Sequence, residues 1–405
     1  MTRLALLIAI AAAIAVPHRA QAADPACSTL PNPVYLQVGD TQQNLMIRLG
    51  RALRDNKLPN GDPNPITLVF ITSGSCSNIA AIYPPTVPIK VTTTMKYIQS
   101  KADLGDDMWT PTTPSLTCTL DAARVPDIAN SALFNSACVD GAPPATVHLT
   151  QGPTQAYVMA VPRAISTQTA ITFEEAYFVF GFGTAGMIMP WIDESQMYIR
   201  TLTKSTLLAW AANIGVPGPR WKGQKFDGSP MVVGALEAST SPGAIGILGA
   251  EVYDGDRTKL KALAFRAKGQ YAAYYPDTSE SARDKKNVRD GHYTVWSPTI
   301  WMDTVDAGGL PVNPTARYVI DLIAGKTVTP AQSFPMIDIV AAVGLVPICA
   351  MRVNRTIEGG ELTPFSPPES CTCKYESLVD TSSCAKCDAT SCATGVCRNG
   401  LCEDH

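Results

Sequence analysis

The sequence predicts an α/β protein built on open, mostly parallel sheets. Three observations predict it: short apolar runs alternate with helical patterns, the runs end in turns rich in serine and threonine, and one turn carries two cations into a helix start. In such sheets ligands bind at the carboxyl ends of the strands.

Residues 1–22 read as a secretory signal: Arg3 precedes an unbroken apolar run over 4–16, and Ala20-Gln21-Ala22 offers small residues for cleavage before Ala23. The run is shorter than the roughly 20 residues that span a bilayer. No later run is long and apolar enough for a membrane helix, so the expectation is an exported chain, periplasmic or at the cell surface. Its 12 cysteines then imply disulfides. A formal net charge of −3 leaves no basic footprint for nucleic acid.

Val34-Tyr35-Leu36-Gln37-Val38 reads as a buried strand, Gly39-Asp40-Thr41 as a turn, and Leu45, Met46, Leu49 and Leu53 as one helical face. The pattern recurs with a strand over 66–71, the turn Thr72-Ser73-Gly74-Ser75-Cys76-Ser77, and a short helix ended by Pro84. Residues 84–117, rich in proline and threonine, read as a surface insertion, and 125–134 as a third strand ending near Asn130-Ser131. A strand over 157–161 stops at Pro162, and a helix over 173–180 stops at Gly181. The glycines of 181–186 match the spacing of a dinucleotide fingerprint, but that motif needs a strand before it and a helix after it. Pro190 stops any such helix, so the glycines read as a turn.

The centre of the chain is a strand over 197–199 and a helix over 206–213 closed by Gly215, with Pro217 beyond. Between them lie Arg200, Thr201, Thr203, Lys204, Ser205 and Thr206. Hydroxyls and cations at a helix N-terminus face unpaired N–H groups and the positive end of the macrodipole, a construction that holds small anions. In the plainer reading Ser205 or Thr206 is only an N-cap, and Arg200 and Lys204 are solvated charges. One helix end contributes about 0.3–2 kcal/mol, whereas micromolar binding takes about 8 kcal/mol. Other loops must converge on it.

Further on come a glycine-bearing strand over 244–248, a strand over 260–267 returning to the first half, a helix over 317–323 closed by Gly325, and the fold's last helix over 336–345. Beyond Pro364-Phe365-Ser366-Pro367-Pro368 the final 35 residues carry seven cysteines, which reads as a separate module, 366–405, on a proline-rich hinge. Seven is odd. Cys349, the nearest upstream, is expected to supply the eighth, leaving Cys27, Cys76, Cys118 and Cys138 to pair among themselves. Cys384-Ala385-Lys386-Cys387 has the spacing of half a zinc site, but Cys392, Cys397 and Cys402 suit a disulfide module better, and no metal ligands are assigned.

These loops, in this order, resemble the type II periplasmic solute-binding proteins, and among them the phosphate-binding components of ABC transporters. Val38-Gly39-Asp40-Thr41 is similar to the family's first loop, Thr72-Ser73-Gly74-Ser75 to its glycine-serine loop, and Asp127-Ile128-Ala129-Asn130-Ser131 to its third-strand loop. The stretch from Arg200 through Thr206 matches an arginine followed by Ser-Gly-Thr at a helix start, and Pro242-Gly243-Ala244-Ile245-Gly246 looks like the Pro-Gly-x-Ile-Gly strand. The likeness runs over residues 33–347 in element order.

What the resemblance implies is a two-lobed fold with two crossing strands and a ligand clamped between helix N-termini. Lobe 1 is then 23–156 with 268–365, lobe 2 is 157–267, and the cysteine-rich tail follows. The implied ligand residues are Asp40, Thr41, Ser73, Ser75 and Ser131 from lobe 1 and Arg200, Lys204, Ser205 and Thr206 from lobe 2. Charge-assisted hydrogen bonds worth about 1.5–3 kcal/mol each make such convergence sufficient. Two departures bear on the ligand. The family's aspartate after the third-loop serine, which accepts a hydrogen bond from protonated phosphate, is Ala132 here, and Lys204-Ser205 replaces Ser-Gly. Losing an acceptor and gaining a cation favours an unprotonated or larger anion, with Asp40 the residue available to replace the acceptor.

The expected function is capture of phosphate or a related oxyanion for an ABC permease, without cofactor and without catalysis. A hydrolase finds little support: there is no Gly-x-Ser-x-Gly elbow, and of the histidines only His148 and His292 fall in the body, with no residue assigned a catalytic role. The alternative is a surface or adhesion protein that keeps the receptor fold as scaffold and binds partners through its tail.

Overall fold

A computed structural model describes residues 24–104, 114–379, 383–388 and 392–403. The predicted signal segment, 1–22, lies outside the described residues.

The first half begins with β1 (Pro33–Gly39), whose Val34, Leu36 and Val38 pack on Leu45, Met46, Leu49 and Leu53 of α1 (Gln43–Arg54). The intervening Tyr35 faces the other way, onto Val69 of β2 (Thr67–Ser73). Burial on both faces is the mark of a central parallel strand, and β1 pairs in parallel with β2, Gly39 beside Ser73, and with β5 (Ile128–Ser131), Leu36 beside Ile128. After β2 comes α2 (Ser75–Ile82). The starts of α1 and α2 thus lie at one sheet edge with the ends of β1, β2 and β5.

The predicted surface insertion is partly sheet. β3 (Thr94–Tyr97) pairs antiparallel with β2, α3 (Lys101–Leu104) follows, and β4 (Leu116–Thr119) pairs antiparallel with β3. Met95, Cys118 and Leu120 are buried against Tyr35 and Val69, so a few well-spaced apolar residues outweigh the proline- and threonine-rich composition.

The long β6 (Val147–Pro162) crosses between the halves. Its first part pairs with the strand that begins at Trp296, its second part with strands of the second half. That half holds β7 (Ala170–Thr172), α4 (Phe173–Phe182), β8 (Met197–Arg200), α5 (Ser205–Ile214), β9 (Gln224–Phe226), α6 (Ser229–Ala238), β10 (Ile245–Gly249), α7 (Ala250–Gly255), β11 (Leu260–Ala262) and β12 (Ala264–Arg266). A capping box of Thr172 and Glu175 starts α4, and Gly215 in the left-handed region ends α5. Of the glycines read as a turn, Gly181 is instead a buried residue inside α4, which runs on to Phe182, while Gly183, at φ 57, and Gly186 form a short helical turn after it. A Cβ on Gly246 would lie 2.9 Å from Val232 and 3.0 Å from Leu236, so this glycine lets α6 close on β10. The predicted strand over 260–267 is broken at Leu263: β11 pairs with β6, and β12 leaves to pair with β7.

The chain then returns through α8 (Lys286–Arg289), β13 (Trp296–Thr304), α9 (Pro314–Ile323) and α10 (Met336–Ala342). Asn313 caps α9 through its side chain. β13 pairs antiparallel with both β5 and β6, which completes one mixed sheet in the order β4-β3-β2-β1-β5-β13-β6-β10-β8-β9, with β11 on β6. Short strands β14 (Val353–Asn354) and β15 (Thr363–Pro364), helix α11 (Thr372–Val379) and the hairpin β16 (Val396–Arg398) and β17 (Leu401–Glu403) finish the described fold.

Six disulfides follow the expected partition: Cys27–Cys118 and Cys76–Cys138 in the body, and Cys349–Cys371, Cys373–Cys384, Cys387–Cys397 and Cys392–Cys402 at the tail. The sulfurs of Cys387, Cys392 and Cys402 lie within 4.8 Å of one another, but all three are in disulfides and none offers a thiolate to zinc. The tail is less separable than its composition suggests. Cys371 and, on α11, Tyr375 pack into the body's largest core, and Arg289 reaches Glu376 at 2.7 Å. Glu403 in turn accepts the Cys373 and Lys374 amides, both at 2.8 Å, so the terminal hairpin closes on the start of α11. Among the described residues, no helix is long and apolar enough to cross a membrane.

Candidate functional site

The strand ends of the two halves meet. Arg200, the last residue of β8, is fully buried, and its guanidinium is held on three sides. Nε donates to the Phe226 carbonyl at 3.2 Å, Nη1 to Ser229 Oγ at 2.5 Å, and Nη2 to both the Asp227 carbonyl and Asp40 Oδ2 at 2.8 Å. Asp40 comes from the opposite half, in the turn between β1 and α1. The same Oδ2 accepts the Ser229 amide at 3.2 Å and the Ser229 hydroxyl at 3.0 Å. The Ser229 hydroxyl therefore accepts a hydrogen bond from Arg200 and donates one to Asp40. Because Ser229 opens α6, the Asp40 carboxylate also sits on an N-terminal amide of that helix, where the backbone favours negative charge. The site holds an anion, and that anion is part of the chain.

A second contact joins the halves at the start of α2, where the Cys76 amide donates to the Thr203 carbonyl at 3.2 Å. A Cβ on Gly74 would lie 2.6 Å from that carbonyl oxygen, so only glycine allows the loops to touch.

The other sequence-derived residues occupy these loops in different states. Ser75 is buried, and its Oγ accepts the Ala132 amide at 3.1 Å. Ser131 is turned into its own loop, donating to the Leu133 carbonyl at 2.8 Å. Ser73 is half-buried at the end of β2. Thr41 and Thr206 are buried, and their hydroxyls have no hydrogen-bond partner among the described residues. Ser205 is buried beside Tyr157, whose hydroxyl donates to the Ala132 carbonyl; burial raises that phenol well above its ordinary range, partly offset by Ser205. Lys204 departs from expectation. It is buried, but its Nζ lies 3.3 Å from Asp227 Oδ1, so its charge has a compensating carboxylate. It is also Lys204, rather than Ser205 or Thr206, that stands at the N-cap of α5, with no side-chain cap.

Sequence reasoning passed over Tyr157, Asp227, Ser229 and Glu251. Asp227-Gly228-Ser229-Pro230 carries a helix-start signal, a polar turn with proline in the first turn, that would have found Asp227 and Ser229. Glu251, in the first turn of α7, is only 5% exposed, and neither carboxyl oxygen bonds to another described residue. Burial above all, with Asp254 and Asp40 adding to it, raises its pKa well above the ordinary glutamate range, against a smaller opposing pull from its own amide and Lys285. A group raised in this way contributes its stability below the unfolded value, about 4.3, and loses it as pH rises through the folded value. Glu251→Gln is therefore expected to match the wild type near pH 4 and to melt higher at pH 8. Identical pH dependence of Tm in the two proteins would refute this.

No family model matches the chain, and no curated protein matches it. Solved structures do. A putative phosphate ABC transporter substrate-binding protein from Clostridium perfringens, with bound phosphate, is 13% identical, with a TM-score of 0.50 over 78% of this chain and 100% of that one. An ABC-type phosphate transport receptor from Vibrio cholerae is 13% identical, with a TM-score of 0.44 over 77% and 99% of the two chains. A phosphate binding protein from Stenotrophomonas maltophilia is 11% identical, with a TM-score of 0.41 over 78% and 91%. The chain has the two-lobed fold of the type II solute-binding proteins. Its C-terminal segment is disulfide-rich, as the sequence predicts.

Proposed function

We propose that the protein is an exported solute-binding protein that captures phosphate or a related oxyanion between two lobes, 23–156 with 268–365 and 157–267, and passes it to an ABC permease. One observation carries the reading: a fully buried arginine at a strand end, backed by the start of a ten-residue helix, is already seated on a carboxylate from the other lobe. A solute oxyanion would take the place of the Asp40 carboxylate and gain the hydroxyls of Thr41 and Thr206, which have no partner among the described residues. The receptor fold supports this use of the cleft, and six disulfides suit an oxidising compartment. No catalytic role is proposed for any residue of the cleft.

Calorimetry with phosphate and with sulfate tests it. Arg200→Ala is expected to weaken both by at least about 2 kcal/mol, the value of a charge-assisted contact. Sulfate should compete well, having no proton to offer the carboxylate that Ala132 lacks. Tight phosphate binding that ignores Arg200→Ala would place the site elsewhere.

The scaffold reading draws on a specific observation too. Arg200 and the Cys76 amide find their partners within the protein itself, which suits a scaffold whose two halves are held together by their own groups. An anion panel that leaves Tm unmoved would favour that reading.

A further inference from the structure

A ridge of rings and methionines stands at one pole of the second half. Along α4, Phe173 and Tyr177 have ring centroids 6.5 Å apart, and Tyr177, Phe178 and Phe182 form a triangle with centroids 5.4, 5.7 and 5.4 Å apart. Phe178 is 42% exposed, and the other three rings are half-buried. The turn after α4 folds back on that helix: a Cβ on Gly186 would lie 2.5 Å from the Phe178 carbonyl oxygen. The chain then presents Met187, 77% exposed, and Met189, 71% exposed. Met187 has φ 57, in the left-handed region where a residue other than glycine is uncommon, and such residues gather at functional surfaces. Over 176–192 the sequence has no charged residue. We propose that this ridge is a docking surface for an anionic lipid bilayer.

Cations at both ends of the ridge decide the partner. Lys268 Nζ lies 5.9 Å from the Phe173 ring centroid, at the start of α4. At the other end, the Lys222 amide donates to the Phe180 carbonyl at 2.8 Å, and Trp221 stacks on Phe180 with centroids 4.5 Å apart. Lys268, Lys222 and Arg220 are exposed and, among the described residues, make no ion pair. The neighbouring acids are engaged: Glu174 faces Arg266 at 3.2 Å, and Glu175, Glu194 and Asp193 accept the amides of Thr172, Thr184 and Ser195. A membrane surface layers its chemistry in the same way, with acyl chains to receive apolar side chains and anionic headgroups to meet lysine and arginine. A second copy of this chain suits the ridge less well. However two such ridges pair about a two-fold axis, the cationic end of one meets a cationic end of the other.

The ridge is remote from Arg200. A Cβ on Gly243, just before β10, would lie 2.3 Å from the Pro190 carbonyl oxygen, and one on Gly223 would lie 2.5 Å from the carbonyl oxygen of Met197, which begins β8. Arg200 ends β8. The docking surface and the anion loops therefore stand at opposite strand ends, and the inference does not rest on the oxyanion reading.

The probe is vesicles of equimolar phosphatidylglycerol and phosphatidylcholine, mixed with the full chain and recovered by flotation, beside vesicles of phosphatidylcholine alone. Saturable binding to the anionic vesicles is expected, weaker on the neutral ones and weakened by salt. Met187→Asn with Met189→Ser removes two exposed apolar side chains and should weaken binding about tenfold or more. Lys222→Gln with Lys268→Gln should weaken it roughly twentyfold on anionic vesicles, about fivefold per cation. All four side chains are exposed, and asparagine tolerates the left-handed backbone, so both variants should melt as the wild type does, which calorimetry checks. Failure of phosphate to bind leaves the vesicle result intact. Absence of binding to anionic vesicles, binding unchanged in either variant, or a dimer in light scattering that the methionine variant abolishes would each overturn the proposal.

Discussion

Asp40→Asn is expected to lower the stability of the anion-free protein by about 3 kcal/mol or more, and added phosphate is expected to restore much of the loss. Arg200 is wholly excluded from water, and among the described residues the one carboxylate bonded to it is Asp40, whose side chain is itself 18% exposed. Removing one partner of a buried ion pair leaves the other charge uncompensated, which costs about 3–5 kcal/mol. Asparagine still accepts from Arg200 and Ser229, so the substitution isolates the charge from the geometry. An oxyanion that fills the place of the carboxylate then stabilises the variant, by about 2.7 kcal/mol at a hundredfold excess over its dissociation constant.

On the proposed binding mode an oxyanion must first displace Asp40 in the wild type, so its apparent affinity falls in proportion to the small fraction of molecules in which Arg200 is free. Phosphate should therefore raise the melting temperature of Asp40→Asn more than that of the wild type. Equal melting of the two proteins without phosphate, or equal response to it, would mean that Asp40 and the solute do not share a site.

This pairing was beyond reach of the sequence, although both residues were singled out. Arg200 and Asp40 are separated by 160 positions, and no periodicity links residues on different lobes. What periodicity does report is local. The elements β1–α1, β2–α2 and β8–α5 were legible because each joins an apolar run to a hydroxyl-rich turn and an amphipathic helix. The strand β9 was not, because Gln224–Phe226 is a three-residue strand with two exposed polar side chains and no apolar run to announce it; only the Asp227-Gly228-Ser229-Pro230 helix-start signal marked the loop that follows. Nor was β13, a buried strand that contains Pro298; proline argues against a central strand, and here the register shifts between Pro298 and Ile300 to accommodate it. The first part of β6 hides for a similar reason, since Gln151-Gly152-Pro153 interrupts it. At Gly152 an added Cβ would lie 2.5 Å from the Trp301 indole nitrogen, so the glycine is required by the neighbouring crossing strand.

Cysteine parity was informative where composition was not. The odd number in the tail pointed to Cys349, and Cys349–Cys371 is the bond that ties the tail to the body. Composition alone suggested a hinge at the prolines, but the ring that anchors the tail is a tyrosine among cysteines, and its partners lie far back in the chain.

That ring gives the other large expected effect. Tyr375 is fully buried in the body's main core, its ring centroid 5.4 Å from the Arg289 guanidinium, while Arg289 itself is buried and bonded to Glu376 on the same helix. Truncating a large buried ring to alanine removes its transfer energy and leaves a cavity, so Tyr375→Ala is expected to destabilise the whole molecule by about 3–5 kcal/mol. Its hydroxyl behaves in the opposite sense. It is buried without a hydrogen-bond partner, and a buried donor left unmade costs about 1–3 kcal/mol. Tyr375→Phe keeps the ring and removes the unmatched group, and should raise the melting temperature. The pair of variants separates two pictures of the tail. If α11 were an appendage on a flexible hinge, neither change would move the main unfolding transition, because the Cys349–Cys371 bond would merely hold a loose segment nearby. With α11 built into the core, the alanine variant melts lower and the phenylalanine variant higher in that same transition, and calorimetric melts of the three proteins side by side distinguish the two.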